Sequence, residues 1–339
     1  MSRFASQIKE SSWSIWRRRA ISIPICFAAA ACVLLGLPLW ASLTLTADAL
    51  TAAAGIWPKT RALAFFTLYL VCEVAGVCAA ATLWALTLGG RLGGDAAYQR
   101  ANAALQRVWS STVFLCAIRI FAMKVELHGA ERALPGPVLF LVRHTSTADT
   151  ALTAALVANP AGIRLRYVLK RELLWDPCLD IVGRRLPNAF IDRSAVGKGD
   201  DLAAIARLAG NLDAHSAVLI YPEGTRFTAE KAARASARLR QRGSDDLADI
   251  AATYNWVLPP QAGGVLALLD AAPDAAVVLV EHAGFEGAAT FPLFWRGGLV
   301  GKTLRVRLRR FEPAEIPAEG RALWLFERWR ELDRWLDPP

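Results

Sequence analysis

The chain has 339 residues, enough for one large domain or two ordinary ones. Hydrophobic residues make up 54% of it and charged residues 20%, a balance richer in apolar surface than a soluble enzyme carries. Its six cysteines form no Cys-x-x-Cys pair or His/Cys cluster, which argues against a disulfide framework and a zinc site. Its net charge of +9 comes without a base-reading or base-stacking motif, which favours anionic lipid over nucleic acid as the partner.

From the amino terminus, residues 1–19 form a basic segment with Arg3, Lys9, Arg17, Arg18 and Arg19. Residues 20–90 then predict a two-helix transmembrane hairpin. Ala20 to Ala47 carries no formal charge and Ala62 to Gly90 carries only Glu73, and each exceeds the roughly 20 residues that cross a hydrocarbon core. A cleaved signal peptide is the rival for the first span, but its apolar core would be only about 7–15 residues long. The loop near Pro58 holds only Lys59 and Arg61, so the stronger basic flank puts both ends of the hairpin on the cytoplasmic side of an inner membrane. Glu73, in mid-span, is read as a protonated or partnered carboxyl inside the hairpin interface rather than part of a transport path. Residues 91–125 form a connector whose apolar stretch, Val108 to Met123 with Arg119, suits either the membrane surface or a buried core helix.

Residues 126–339 change to alternating strands and helices. Strands are expected at Pro137–Val142, Arg166–Leu169, Asn188–Ile191, Ala217–Tyr221 and Ala276–Val280. Helices are expected at Thr150–Ala158, with Ser146 or Thr147 as N-cap, and at Asp200–Leu212, and Thr228–Ile250 is a loop-like or helical insertion. Continuous apolar strands between helices imply an α/β domain with a mainly parallel sheet covered on both faces.

The first apolar strand runs into Arg143-His144-Thr145-Ser146-Thr147-Ala148-Asp149. On one continuous helix, residues five apart diverge by about 140° and do not face each other. A strand–turn–helix corner instead folds Asp149 back against His144, holding one ring nitrogen's proton and leaving the other free as a base. Alone, this spacing is equally that of a surface histidine and a capping aspartate. A second segment, Tyr221-Pro222-Glu223-Gly224-Thr225-Arg226, follows another buried strand, where open α/β sheets carry their ligand loops. There Gly224 permits close backbone approach and Arg226 suits a phosphate. Ser146 has no Gly-x-Ser-x-Gly elbow, so a covalent acyl-enzyme is not expected.

These motifs together resemble the glycerolipid acyltransferase family, that of the lysophosphatidate (1-acylglycerol-3-phosphate) acyltransferases. His144 to Asp149 matches its first block. Phe190-Ile191-Asp192-Arg193, approached by Lys170-Arg171-Glu172-Leu173, matches the second, and Tyr221 to Arg226 the third. Val257-Leu258-Pro259-Pro260-Gln261-Ala262-Gly263-Gly264 fits the fourth less closely, with Gln261 where a basic residue is common. The resemblance spans about Glu126 to Glu286, and the hairpin is loosely similar to the lysocardiolipin acyltransferase subgroup. It implies a membrane-bound lysophospholipid acyltransferase with His144 as general base and Asp149 as its support. It also implies an acceptor site of Lys170, Arg193, Glu223, Gly224, Thr225, Arg226 and Pro259, with amides near Gly224 as candidates for an oxyanion hole. No metal or resident cofactor is implied; the acyl donor is acyl-coenzyme A or acyl carrier protein. The expected acceptor is lysophosphatidate, and the alternatives are another lysophospholipid headgroup, hydrolysis of the lysophospholipid, or a non-catalytic lipid-binding protein.

Toward the carboxyl end, Arg305, Arg307 and Arg309 alternate along a strand, suited to a solvated sheet edge or to lipid phosphate. Arg321 to Trp335 has the pattern of an amphipathic helix that either rests on a membrane or packs its tryptophans into a core. His128, His215 and His282 have no partner motif and are expected to be structural or exposed.

Overall fold

The computed structural model describes residues 10–51, 55–146, 148–191 and 199–337. Three helices open the chain: α1 (Ser12–Leu35), α2 (Leu37–Leu50) and α3 (Pro58–Thr87). The first expected span is therefore broken at Gly36. Pro38 sits in the first turn of α2 and has no N–H to continue the helical ladder. Helices α1 and α3 are each long and apolar enough to cross a membrane.

The carboxy-terminal domain begins with α4 (Gly94–Ile120) and continues β1 (Lys124–His128), β2 (Val138–Val142), α5 (Asp149–Thr153), β3 (Arg164–Lys170), α6 (Pro177–Ile181) and β4 (Ala189–Ile191). It ends with α7 (Gly199–Leu208), β5 (Ser216–Ile220), α8 (Ala229–Gln241), α9 (Asp245–Ala251), α10 (Ala262–Ala271), β6 (Ala276–Ala283), α11 (Phe291–Trp295), β7 (Thr303–Phe311) and α12 (Arg321–Leu336). Among the described residues the strands form one seven-stranded sheet in the order β1-β7-β6-β2-β5-β3-β4. Only the β6–β7 pair is antiparallel. Strands β2 and β5 are buried along their whole length, so both faces are covered as their unbroken apolar runs require. Phe114 and Phe121 from the α4 segment join the core on one face, which makes the connector a core helix, not an interfacial one. On the other face α12 buries Leu325, Phe326, Trp329 and Leu332, so its tryptophan-rich pattern serves packing and not a membrane surface.

The arginine row of β7 meets neither expectation, because β7 lies between β1 and β6 and not at an edge. Arg307 and Arg309 each place Nε on the buried Glu281 carboxylate, at 2.6 and 2.8 Å, and the Arg305 and Arg307 guanidinium groups stack over Trp335.

Helix α3 does not stand clear of the domain. Near its start, Phe65 and Phe66 pack edge-on against Phe294 of α11, and Arg61 donates to the Ile120 carbonyl. Midway, the Tyr69 hydroxyl bonds Asp176 at 2.6 Å, and the Glu73 carboxylate accepts from the Cys178 amide at 3.3 Å. Further along, Arg185 donates to the Ala80 carbonyl at 2.9 Å. From Pro58 to Ala80 the helix thus lies along the domain for about 33 Å. Glu73 has its expected partnered setting, but the partner belongs to the carboxy-terminal domain and not to the hairpin. Two of the arginines read as a topology signal are also drawn inward: Arg18 and Arg19 bond opposite oxygens of Asp180, at 2.7 and 2.8 Å.

At Gly76, an added Cβ would come 2.5 Å from the Cys178 sulfur, so the absent side chain lets α3 approach α6. Gly76→Ala should lower stability in denaturant unfolding, although the substitution alone gains about 1 kcal/mol of helix propensity. In a Cys178→Ala background the same change should become stabilising. A stabilising Gly76→Ala in the otherwise unaltered chain would disprove this close approach.

Candidate active site

Strands β2, β3 and β5 run parallel, so the segments that leave their carboxyl ends gather on one edge of the sheet. His144 follows β2, Lys170 closes β3, and Tyr221 to Arg226 follows β5. Lys170 is half-buried on that edge. Arg193, expected beyond β4, lies outside the described residues, as does Thr147.

The turn from β2 into α5 brings the Asp149 carboxylate back under His144. Asp149 Oδ2 lies 3.2 Å from His144 Nδ1 and accepts the backbone N–H groups of Thr145 and Ser146. Its Oδ1 accepts the Ser146 hydroxyl at 3.1 Å. Asp149 is fully buried. Burial opposes its ionisation, but the imidazoles of His282 and His144 and the Ser146 amide outweigh it and hold the carboxyl below its usual range. With the acceptor on the Nδ1 side, His144 carries its proton there. Its ring stacks at a tilt on Tyr221, centroids 4.9 Å apart, and Nε2 meets no polar partner among the described residues. An imidazole so held can take a proton from a hydroxyl. The Ser146 oxygen donates to Asp149 and accepts the Ala148 amide at 3.1 Å, so it serves the corner as a structural bridge.

Glu223 is placed differently from the expected substrate contact. Its Oε1 accepts the His144 backbone N–H at 2.9 Å and its Oε2 the Leu258 N–H at 3.0 Å. The carboxyl therefore ties the histidine turn to the segment leading to Pro259, and it faces protein on both oxygens. Gly224 adopts φ +70°, and its N–H donates to the Tyr221 carbonyl at 3.0 Å, which removes that amide from the oxyanion candidates. A Cβ on Gly224 would meet the Gln261 amide at 2.5 Å, while the Gln261 N–H donates to Pro222. Thr225 and exposed Arg226 lie at the outer end of the loop. Arg226 donates to the Ala289 carbonyl at 2.6 Å, and Lys231 reaches both the Thr225 hydroxyl and the Arg226 carbonyl. Pro259 is buried behind them.

Three contributors escaped the sequence reading. Lys231 adds a cation to the Thr225–Arg226 loop. Arg143 is buried: its Nη1 bonds the His282 carbonyl and Glu286, at 2.7 and 2.8 Å. His282 returns the contact, its Nε2 lying 2.9 Å from the Arg143 carbonyl and 3.8 Å from Asp149 Oδ1. Burial pushes the His282 pKa down, against the opposing pull of Asp149. It was expected to be structural or exposed, and it is fully buried against the dyad. Its signal lies in the sheet order: Val280 pairs with Val142, so position 282 falls beside position 144.

Residues 124–263 match the family model described as Acyltransferase. Over 247 residues the chain is 25% identical to the 1-acyl-sn-glycerol-3-phosphate acyltransferase epsilon of Mus musculus, a match covering 70% of this chain and 68% of that one. The crystal structure of the 1-acyl-sn-glycerophosphate acyltransferase of Thermotoga maritima is similar over 78% of this chain and 95% of its own, with 15% identity and a TM-score of 0.48.

Burial, only partly offset by the Leu258 and His144 amides, pushes the Glu223 pKa up from 4.5 to about 7. A pKa raised on folding favours the folded state fully below about 4.5, and that contribution is lost as pH rises through about 7. Relative to Glu223→Gln, the unaltered protein should therefore lose on the order of 3 kcal/mol of unfolding free energy between pH 4.5 and 8. Parallel pH–stability curves for the two proteins would refute this.

Proposed function

We propose that the protein transfers an acyl chain from a thioester donor to the free hydroxyl of a lysophospholipid, with 1-acylglycerol 3-phosphate as acceptor and phosphatidic acid as product, a reading supported by the match of residues 124–263 to the Acyltransferase family model. The observation that carries this reading is the His144–Asp149 pair on the carboxyl edge of the sheet, whose carboxylate meets Nδ1 and leaves Nε2 without a polar partner among the described residues. The mouse relative's name supports the acceptor.

In the reaction, His144 Nε2 takes the proton of the acceptor hydroxyl as its oxygen attacks the thioester carbonyl. Asp149 stabilises the imidazolium so formed. As the tetrahedral intermediate collapses, the carbon–sulfur bond breaks and the departing thiolate takes the proton back from Nε2, returning His144 to neutrality. The acceptor's phosphate is drawn by Arg226 and Lys231, with Lys170 on the same edge of the sheet. Glu223 and Pro259 act behind it by fixing the loops that carry His144 and Thr225. The donor is acyl-coenzyme A or acyl carrier protein.

The protein is held at the membrane by α1, α2 and α3, whose exposed Ile25, Leu35, Leu39, Leu43 and Val71 face away from the domain toward lipid. The basic flank at Arg17 supports an orientation with the carboxy-terminal domain on the cytoplasmic side of an inner membrane.

The test is acyl transfer by purified protein with labelled acyl-coenzyme A and a panel of lysophospholipids. His144→Ala should lower kcat/KM for phosphatidic acid formation by roughly a hundredfold to ten-thousandfold. Ser146→Ala, which removes one hydrogen bond to Asp149, should stay within about tenfold of the unaltered protein. Equal loss in both variants would point to a serine nucleophile and sink the proposed route. Release of free fatty acid without any acylated acceptor would replace transfer by hydrolysis.

A further inference from the structure

Strand β4 pairs only with Val168–Lys170, which leaves the amino-terminal half of β3 open along that edge. There a cavity of about 330 Å³ lies between α4, residues 163–167 and the Leu186–Pro187 turn. It opens at the amino end of the parallel strands, so the length of β3, about 23 Å, separates it from the edge that carries His144.

The chemistry of its wall is one-sided. Arg100 and Arg107 from α4 and Arg164 and Arg166 from β3 line it, and no Asp or Glu does. Arg100 and Arg107 are seven residues apart, two turns of helix, and so share a face. Both are exposed, and neither makes an ion pair among the described residues. Gln99 lies on the same wall, and its side-chain nitrogen is buried with no hydrogen-bond partner. Arg166 donates to the carbonyls of Leu208, Gly210 and Asn211, and Arg164 pairs with the Asp213 carboxylate, so the guanidinium groups left without a partner on this wall, among the described residues, are those of Arg100 and Arg107. Burial lowers the Arg166 pKa, against the opposing pull of the Asp213 carboxylate and with a smaller contribution from Arg164. An unpartnered amide donor and the two unpaired guanidinium groups of Arg100 and Arg107 around a space of this size call for an anion with several acceptor oxygens.

The setting adds a second clue. Trp84, Leu86, Leu88 and Leu92 are exposed just ahead of the helix that supplies Gln99 and Arg100. A basic cavity next to apolar side chains matches a molecule with a charged head and an apolar tail.

We propose that this cavity binds the phosphate of a glycerophospholipid headgroup, at a site separate from the one around His144. The assignment does not depend on the acyl-transfer reading. Arg100 and Arg107 supply the free guanidinium contacts, Gln99 supplies the buried amide donor, and the apolar residues at the end of α3 and in the turn after it lie against the acyl chains.

The test is hydrogen–deuterium exchange, followed by mass spectrometry, on the full chain in detergent with glycerol, glycerol 3-phosphate or dihexanoyl phosphatidic acid. Exchange should slow at residues 96–110 and 163–167 with a phosphate-bearing probe and not with glycerol. Protection by glycerol 3-phosphate would show that the phosphate suffices; protection by the lipid alone would show that the tails are needed. In Arg100→Gln/Arg107→Gln, with its unfolding midpoint unchanged, the same protection should require roughly tenfold more probe or greater, while residues 144–149 and 223–226 respond as before. No protection of 96–110 by either phosphate probe, or equal protection in the double variant, would overturn the proposal.

Discussion

The site depends on one buried carboxylate. Asp149 has no access to solvent, and its charge is stable there because Oδ2 receives the Thr145 and Ser146 amides and His144 Nδ1, and Oδ1 the Ser146 hydroxyl. A buried, unpaired carboxylate would instead take up a proton. These same donors bend the chain from β2 into α5, so the corner and the ionisation state support each other. The consequence is a directional imidazole, with its proton on the protein side and its lone pair outward.

Glu223 extends that order across the sheet. Its two oxygens bridge the His144 amide on one strand's loop and the Leu258 amide from another segment. Arg143 and His282 form a reciprocal pair on the far side of the same turn. His144 is thus fixed from the β5 side and the β6 side at once, which is the kind of restraint proton transfer in a set geometry requires. The outward-facing groups, Arg226 and Lys231, are left on the exposed rim, where a phosphate can reach them.

Local signals carried much of this into the sequence. Apolar runs of strand length announced β2, β5 and β6, and the spacing of His144 and Asp149 made sense only at a strand–helix corner. Glu223 and Gly224 were legible as site residues, but their roles were not, because a side chain's direction depends on what packs opposite it. His282 was legible as a structural residue, but not as a neighbour of the dyad, for a similar reason: nothing near it in sequence reveals that β6 lies beside β2. The hairpin shows the same limit. Its length and apolarity were plain, yet its docking rests on Gly76, Cys178 and Asp180, residues without any local pattern. Two consecutive arginines that signal topology by charge are, in the fold, ligands of one buried aspartate.

The most direct test of the account is the tautomer of His144. Nitrogen-15 spectra of histidine-labelled protein, assigned with His144→Ala, should show neutral His144 protonated at Nδ1 and bare at Nε2, with that preference lost in Asp149→Asn. Protonation at Nε2 in the unaltered protein would mean that Asp149 does not hold the ring as described, and the base would face the wrong way.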